Sequence, residues 1–513
     1  MTWEDALKNS LTLSLNPKDN VAVARVDILP GTEIESGITA NHHIPAGHKI
    51  ALSGVGEGDP IRKYDQIIGF AEGALEPGDH VHTHNCKFAM FERDYAVGQD
   101  VKPTDFIPEA ERATFNGYRR DNGRAATRNY IGILTSVNCS ATVARYVAEQ
   151  FRGSDALADF PNVDGVVALT HGTGCGMASD GEGMRMLSRT FAGYARHPNF
   201  AGILFIGLGC EAAQLGMMME VEGLKPGPLL HMFTIQDSGG TTATVKKGVD
   251  LVKEMLPHAN RFRREPIPAS ELVLGLECGG SDAYSGISAN PGLGAAADLL
   301  VRNGGTACLG ETPEIYGAEH LLTRRAVSDE VAQKLITKIH WWEDYVAKNN
   351  GSMDNNPSPG NKAGGLTTIL EKSLGAAAKG GTTNLCDVYS YGEKITEKGF
   401  VFMDTPGYDP VSVTGFVAGG ANVVCFTTGR GSVFGCKPVP SLKLATNSSM
   451  YGRMSDDMDI NCGVVVDGER SVQELGQDIF DKIIATASGE QTCSERLGFG
   501  DDEFLPWQIG AVM

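Results

Sequence analysis

Several things are missing or scarce in this sequence, and each absence narrows the field. No apolar run approaches the roughly 20 residues that a membrane helix needs, so no spanning segment is expected. The opening Met-Thr-Trp-Glu-Asp-Ala has neither a basic nor an apolar region, so no secretory leader is expected and the reading is cytoplasmic. Positive charge is in deficit: 44 Lys and Arg against 63 Asp and Glu leave a formal net charge of −19. That balance excludes a phosphate backbone or an anionic membrane as partner. A small anionic substrate stays compatible, because a local basic pocket can sit inside an acidic protein. The 11 cysteines are odd in number, and none forms a C-x-x-C pair. Free or metal-bound thiols in a reducing compartment fit better than a disulfide framework. There is no repeat of fixed period and no low-complexity tract.

What is present is a chain of 513 residues, too long for one core, so two to four domains are expected. Glycine is abundant, at 64 residues, and the apolar runs persist around it, which indicates tight turns and close backbone approach to ligands. Four segments between Ile131 and Asp282 share one form: an apolar run, a small-residue turn and a cysteine. They end at Cys139, at His171-Gly-Thr-Gly-Cys175, at Gly207-Leu-Gly-Cys210-Glu211 and at Glu277-Cys278-Gly-Gly-Ser281-Asp282. Short apolar runs bounded by glycine mark strands buried on both faces of a parallel sheet. Ligands bind beyond the carboxyl ends of such strands, so the four thiols are expected to converge on one place.

In chain order, residues 1 to about 100 read as a small, turn-rich β domain, and 101–115 as a linker. Residues 116–262 alternate strand and helix. Ser140 is placed as an N-cap, and Val143, Val147 and Phe151 form an apolar stripe. Residues 266–513 alternate again, with helices over 294–302 and 329–348 and a strand into Cys308. The expected fold is therefore α/β and multidomain: a small N-terminal β domain followed by two α/β units with mainly parallel sheets.

Candidate chemistry gathers at a few places. His80, His82 and His84 alternate, so on a strand they share one face, and neighbouring pairs could chelate a metal. The outer pair would lie about 13 Å apart on a straight strand. Thiolates at Cys139, Cys175, Cys210 and Cys278 favour iron, an iron–sulfur cluster or zinc; His171 with Cys175 is an alternative ferrous site. Thr427-Thr428-Gly429-Arg430-Gly431 offers hydroxyls, N–H groups and a guanidinium for a carboxylate. Lys362, in a loop rich in Gly, Pro and Asn, is a candidate base or carboxylate ligand. Asp282 could bind a substrate hydroxyl or cap a helix. Gly207-Leu-Gly209-Cys-Glu-Ala212 matches a dinucleotide fingerprint, but it lies mid-domain and lacks the acid expected about twenty residues on.

Asp19-Asn-Val-Ala-Val, Pro45-Ala-Gly-His-Lys, His80-Val-His-Thr-His-Asn, Gly207-Leu-Gly-Cys-Glu, Glu277-Cys-Gly-Gly-Ser-Asp, Asn356-Pro-Ser-Pro-Gly-Asn-Lys and Thr427-Thr-Gly-Arg-Gly together resemble the altronate/galactarate dehydratase family. The histidine strand and the tail Gln491-Thr-Cys-Ser-Glu-Arg are similar to its altronate branch. The resemblance implies a SAF-type N-terminal domain, a central domain, a larger C-terminal domain, dependence on ferrous iron and loss of water from C2–C3 of an aldonate. It leaves the iron mononuclear or clustered. Within that expectation Lys362 or His171 is the base, with Asp282 and His82 as further catalytic candidates. Thr427, Thr428, Arg430, Ser281 and Asn361 hold the substrate, and iron sits on the strand-end cysteines or on His80, His82 and His84. A homo-oligomer is expected. Galactarate, another aldonate or a sulfonated acid remain alternative substrates; a nicotinamide-linked oxidoreductase and a non-catalytic sugar-acid binder are readings of other classes.

Overall fold

The computed structural model describes residues 10–512 apart from Glu92 and Ser154. Residues 1–9, where the leader reading falls, lie outside the described residues. None of the described helices is long and apolar enough to cross a membrane.

Two parallel sheets carry the architecture. The central one contains β1 (Tyr130–Thr135), β2 (Gly165–Leu169), β3 (Phe200–Gly207) and β4 (Leu230–Thr234), in the order β2-β1-β3-β4, all parallel. Every residue of β1 and β3 is buried, as runs without polar alternation require. Helices α1 (Ala141–Glu149), α2 (Glu182–Ala195) and α3 (Thr241–Asn260) cover the sheet. The stripe expected on α1 is the buried one, Val143, Ala144, Val147 and Ala148. Ser140 does not cap it through its side chain; its hydroxyl donates to Val137 O instead (2.9 Å).

The C-terminal sheet contains β5 (Val273–Cys278), β6 (Thr306–Leu309), β7 (Leu385–Tyr389), β8 (Gly399–Met403), β9 (Val423–Thr428), β10 (Ser441–Ala445) and β11 (Ile460–Asn461), in the order β7-β8-β6-β5-β9-β10-β11. All neighbours are parallel. The chain moves outward from β5 through β6 to β7, returns to β8, then crosses to β9 on the other side of β5. The order therefore reverses between β5 and β9, and ligands of open α/β sheets bind at such a reversal. Helix α4 (Ala289–Arg302) packs with α8 (Val472–Ala487) on one face; α7 (Asp409–Gly419) lies on the other, against α2. Met186 of α2 shares an apolar cluster with Val411 of α7, and a Cβ on Gly193 would sit 2.2 Å from Ala418 O. The two helices therefore run the same way, and both sheets direct their carboxyl edges to the same side of the molecule.

The N-terminal unit is β-rich, with a four-stranded and a three-stranded sheet built from short antiparallel pairs. It is fastened to the C-terminal domain by a buried ion triad. Lys49 Nζ donates to Glu371 (2.8 Å) and to Gly365 O (2.7 Å), and Lys63 Nζ to the other Glu371 oxygen (3.0 Å). Burial alone would raise the Glu371 pKa, but Lys49 and Lys63 hold it well below the carboxylate range. The segment expected as a linker runs without strands to a short turn of helix at Glu109–Glu111. Thr114–Arg119 then pairs antiparallel with Arg264–Pro268, so the chain enters and leaves the central domain through one ladder.

Candidate active site

The loop Cys278–Asp282, beyond β5, is the axis of the site. Gly279 N donates to Thr427 O (3.1 Å), while Gly280, at φ +62°, accepts from Gly429 N (3.1 Å) and Arg430 N (2.9 Å). The loops after β5 and β9 are thus interlocked at the reversal point. Space explains the glycines: a Cβ on Gly279 would lie 2.4 Å from Asp409 Oδ2, and one on Gly429 2.1 Å from the Asp282 carboxyl carbon. A third segment closes on them. Helix α6 (Pro359–Ala363) starts with a capping box from Ser358 and Asn361, and Asn361 Nδ2 donates to Ser281 O (2.7 Å). The fourth contributor is the N-terminal domain, whose His48 reaches Ala363 O (3.5 Å) and whose Gly47 abuts Gly365.

Among the residues expected to act, the structure separates scaffold from reactive groups. Asp282 is buried and accepts from Ser285 N, Ser285 Oγ, Thr446 Oγ1 and Asn447 Nδ2 at 2.9–3.1 Å, so its oxygens are committed to the loop rather than to a substrate. Thr427 donates to Asn290 (2.7 Å) and Thr428 accepts from Gly431 N (3.0 Å); both are buried, and both serve the turn. Ser281 and Asn361 are likewise buried, and Asn361 links α6 to the loop. In this structure the side chains of Asp282, expected as catalytic, and of Thr427, Thr428 and Asn361, expected to hold the substrate, serve to position the loops, and Ser281 is buried beside them. Arg430 is exposed and its guanidinium has no partner among the described residues. Lys362 is half-buried, makes no side-chain hydrogen bond among the described residues, and acts electrostatically on Asp354.

The expected histidine face is also revised. The strand stops at Val81, because Asn85 accepts from His82 N (2.9 Å) and donates to His80 O (2.9 Å), which bends the chain into a turn. His84 becomes exposed, and His48 takes its place: the ring nitrogens of His48, His80 and His82 all lie within 4.8 Å of one another. His48 Nδ1 is 3.0 Å from His80 Nε2. Burial, then the neighbouring imidazoles, lowers His80 to about 3; burial, then Lys49, lowers His82 to about 4. All three are therefore neutral near pH 7, the form that binds metals, and His82 Nδ1 is buried without a partner. This donor set fits a divalent ion such as ferrous iron.

Behind the loop lies a buried nest of charge that sequence reasoning missed. Glu311 accepts from Lys379 (2.6 Å) and Cys278 N (3.1 Å), and Glu314 from Lys372 and Asn356 (both 2.8 Å). Glu311 adopts φ +61°, a left-handed conformation costly for a non-glycine residue and most often kept at functional sites. Burial and then the neighbouring Glu311 drive the Glu277 pKa far up, and one oxygen of each carboxylate is buried without a partner among the described residues. Cys278 is pushed up by burial and then by Glu311. Its Sγ faces Glu311 (3.3 Å) and Glu314 (3.4 Å), and the three ligand atoms lie within 4.8 Å of one another. Asp409, at the rim beside Gly279, is raised to about 7 by burial, Glu311 and Glu314. A legible signal existed: Lys372 and Lys379 interrupt the apolar, small-residue stretch 369–380, where a solvated lysine has no place.

The expected convergence of four thiols is corrected as well. Cys278 is buried in the C-terminal sheet, whereas Cys139, Cys175 and Cys210 are exposed at the edge of the central one. His171 is not available as a base. Its Nε2 lies 2.7 Å from Thr135 O and its Nδ1 accepts from Thr173 N (3.2 Å), so both nitrogens are committed to backbone, and burial lowers its pKa to about 4. The dinucleotide fingerprint is filled by the chain itself: Glu211 accepts from Gly209 N (2.6 Å) and Ser136 Oγ (2.7 Å), placing a carboxylate where a pyrophosphate would lie.

Three family models match in succession: the altronate/galactarate dehydratase SAF domain over residues 10–89, the second domain of D-galactarate dehydratase/altronate hydrolase over 117–260, and the C-terminal domain of D-galactarate/altronate dehydratase over 269–512. The altronate dehydratase of Bacillus subtilis (strain 168) is 36% identical over 95% of this chain and 97% of its own length. The galactarate dehydratase (L-threo-forming) of Escherichia coli (strain K12) is 38% identical over 95% and 94%. The (2R)-sulfolactate sulfo-lyase subunit beta of Chromohalobacter salexigens is 33% identical over 76% of this chain and 96% of its own. On these matches, spanning all three structural units, the chain belongs to the altronate/galactarate dehydratase family.

Proposed function

We propose that the protein is a hydro-lyase that removes water across C2–C3 of a six-carbon aldonate, altronate in preference to galactarate, and releases a 2-keto-3-deoxy acid. The observation that carries this reading is the set of free reactive groups around the 278–282 loop: Arg430, Lys362 and Asp409, each placed by a scaffold whose own polar atoms are spent. A proton α to a carboxylate is weakly acidic, so its removal needs charge stabilisation on the carboxylate. Arg430 pairs with that carboxylate through its planar guanidinium. Lys362 is the base that takes the C2 proton. Asp409, near pH 7 in a mixture of forms, gives its proton to the C3 hydroxyl as the C3–O bond breaks. Water leaves, the enol becomes the 2-keto acid, and both groups return to their starting states through solvent. His48, His80 and His82 would hold a ferrous ion, which when bound supplies Lewis acidity toward substrate oxygens. With Lys362 engaged at C2, Arg430 supplies a cation for one carboxylate. That suits an aldonate, with one, better than an aldarate, with two, and the His80-Val-His sequence resembles the altronate branch.

The test is anaerobic assay of 2-keto acid from altronate and galactarate with ferrous iron present. The reading expects kcat/KM for altronate to exceed that for galactarate by about tenfold or more, about 1.4 kcal/mol in transition-state binding. Faster turnover of galactarate would overturn the substrate assignment, and no keto acid from either would overturn the reaction.

A further inference from the structure

Cysteine is among the most buried residue types, and here eight of the eleven obey: seven are buried and Cys386 is half-buried. The three exposed ones, Cys139, Cys175 and Cys210, all stand at one edge. They occupy the turns just beyond β1, β2 and β3, which are immediate neighbours in the order β2-β1-β3 and run the same way. None of the dehydratase chemistry above uses them.

The three turns form one platform. Asn138 N donates to Thr173 O (3.1 Å), Ala213 N to Gly174 O (3.0 Å), and Ser136 N to Ile206 O (3.3 Å). Gly174, at φ +98°, lies so near the first turn that a Cβ would be 2.0 Å from Ser136 O. Glu211 ties Ser136 to Gly209, and His171 pins the second turn to the end of β1. The buried polar groups here hold the loops together and leave the sulfur atoms to solvent. Gln236 Nε2 donates to Cys210 Sγ (3.5 Å), which orients that sulfur.

Three soft donors on a rigid platform fit iron–sulfur chemistry. A single tetrahedral ion with metal–sulfur bonds near 2.3 Å would require thiolates about 3.8 Å apart. Among the described residues these three sulfurs are not a group whose members all lie within 4.8 Å, whereas a polynuclear cluster spans a wider triangle. We propose that Cys139, Cys175 and Cys210 ligate a [4Fe–4S] cluster, one iron of which carries no protein thiolate and is open to an oxygen ligand. Cys278, buried in the other sheet, is not the fourth ligand. The proposal stands independently of the dehydratase reading.

Anaerobic purification, followed by incubation with ferrous iron and sulfide, tests it. The expected result is about four iron and four acid-labile sulfide per chain beyond any histidine-bound iron, with broad absorbance near 400 nm. Cys139→Ser, Cys175→Ser and Cys210→Ser should each lose the labile sulfide and the band, with far-ultraviolet circular dichroism unchanged. Cys278→Ser and His80→Asn should keep both. Mild oxidation should release one iron and give the electron paramagnetic resonance signal of a three-iron cluster, the mark of an iron lacking a thiolate. Absence of labile sulfide after reconstitution, stoichiometric zinc in its place, or equal loss in Cys278→Ser would overturn the assignment. An intact cluster in a protein inactive on both sugar acids would instead overturn the reaction reading alone.

Discussion

The two parallel sheets of this chain end in glycine-turned edges of similar design on the same side of the molecule, yet they are finished in opposite ways. The C-terminal edge is filled. Its acids are matched by Lys372 and Lys379, its thiol is buried, and a separate β domain covers it through the Lys49–Glu371–Lys63 triad. The central edge is left open, with three uncovered thiols on a braced platform. Backbone topology decides where a site forms, while the balance of buried charge decides its chemistry. A filled edge leaves a few reactive groups to solvent, Lys362 and Arg430 with Asp409 at the rim; an open edge offers donors to an external cofactor.

The sharpest way to break this contrast is to remove a reactive group from the filled edge. Lys362→Met should lower kcat on altronate by about 10²–10⁴, with thermal stability unchanged, as steady-state kinetics and a melting curve would show. Next in size is the fastening of the cover. Glu371→Gln leaves Lys49 and Lys63 buried without a counter-charge and should cost about 3–5 kcal/mol in urea unfolding; a cost within error would mean the triad does not hold the domain. Arg430→Met should raise KM for altronate by about 10- to 100-fold, the worth of a charge-assisted pair of about 1.5–3 kcal/mol, and leave cluster content untouched.

The smallest expected effect concerns pH. Burial lowers His171 to about 4 and His197 to about 3. A histidine whose folded pKa is depressed stabilises the fold above its unfolded value of about 6.5, and that contribution is lost as pH falls through the folded value. Stability should therefore decline from about pH 6.5 toward pH 4, and less steeply in His171→Asn, whose amide can keep one of the two backbone contacts. Parallel slopes in wild type and variant would sink this account of His171 as a neutral brace.

Much of the architecture was legible because buried parallel strands write themselves as apolar runs ending in a small-residue turn, with glycine at the ends of β3, β5 and β9. The site was legible only in outline. Asp282, Asn361, Thr427 and Thr428 carry the right groups in the right loops, but sequence cannot show that their hydrogen-bonding capacity is consumed by neighbours up to 165 positions away. His84 was chosen over His48 by strand periodicity, which fails where the Asn85 side chain turns the backbone after Val81. Glu311 and Glu314 were invisible because a carboxylate becomes informative only when its lysine partner and its burial are known.

The most direct test of the central claim is single-turnover release of 2-keto acid from altronate by the anaerobically loaded protein, comparing wild type, Lys362→Met and Cys278→Ser. The account predicts that Lys362→Met binds altronate but releases almost no product, while Cys278→Ser, which removes only a buried thiol, retains turnover within about tenfold. Near-normal turnover by Lys362→Met would contradict it.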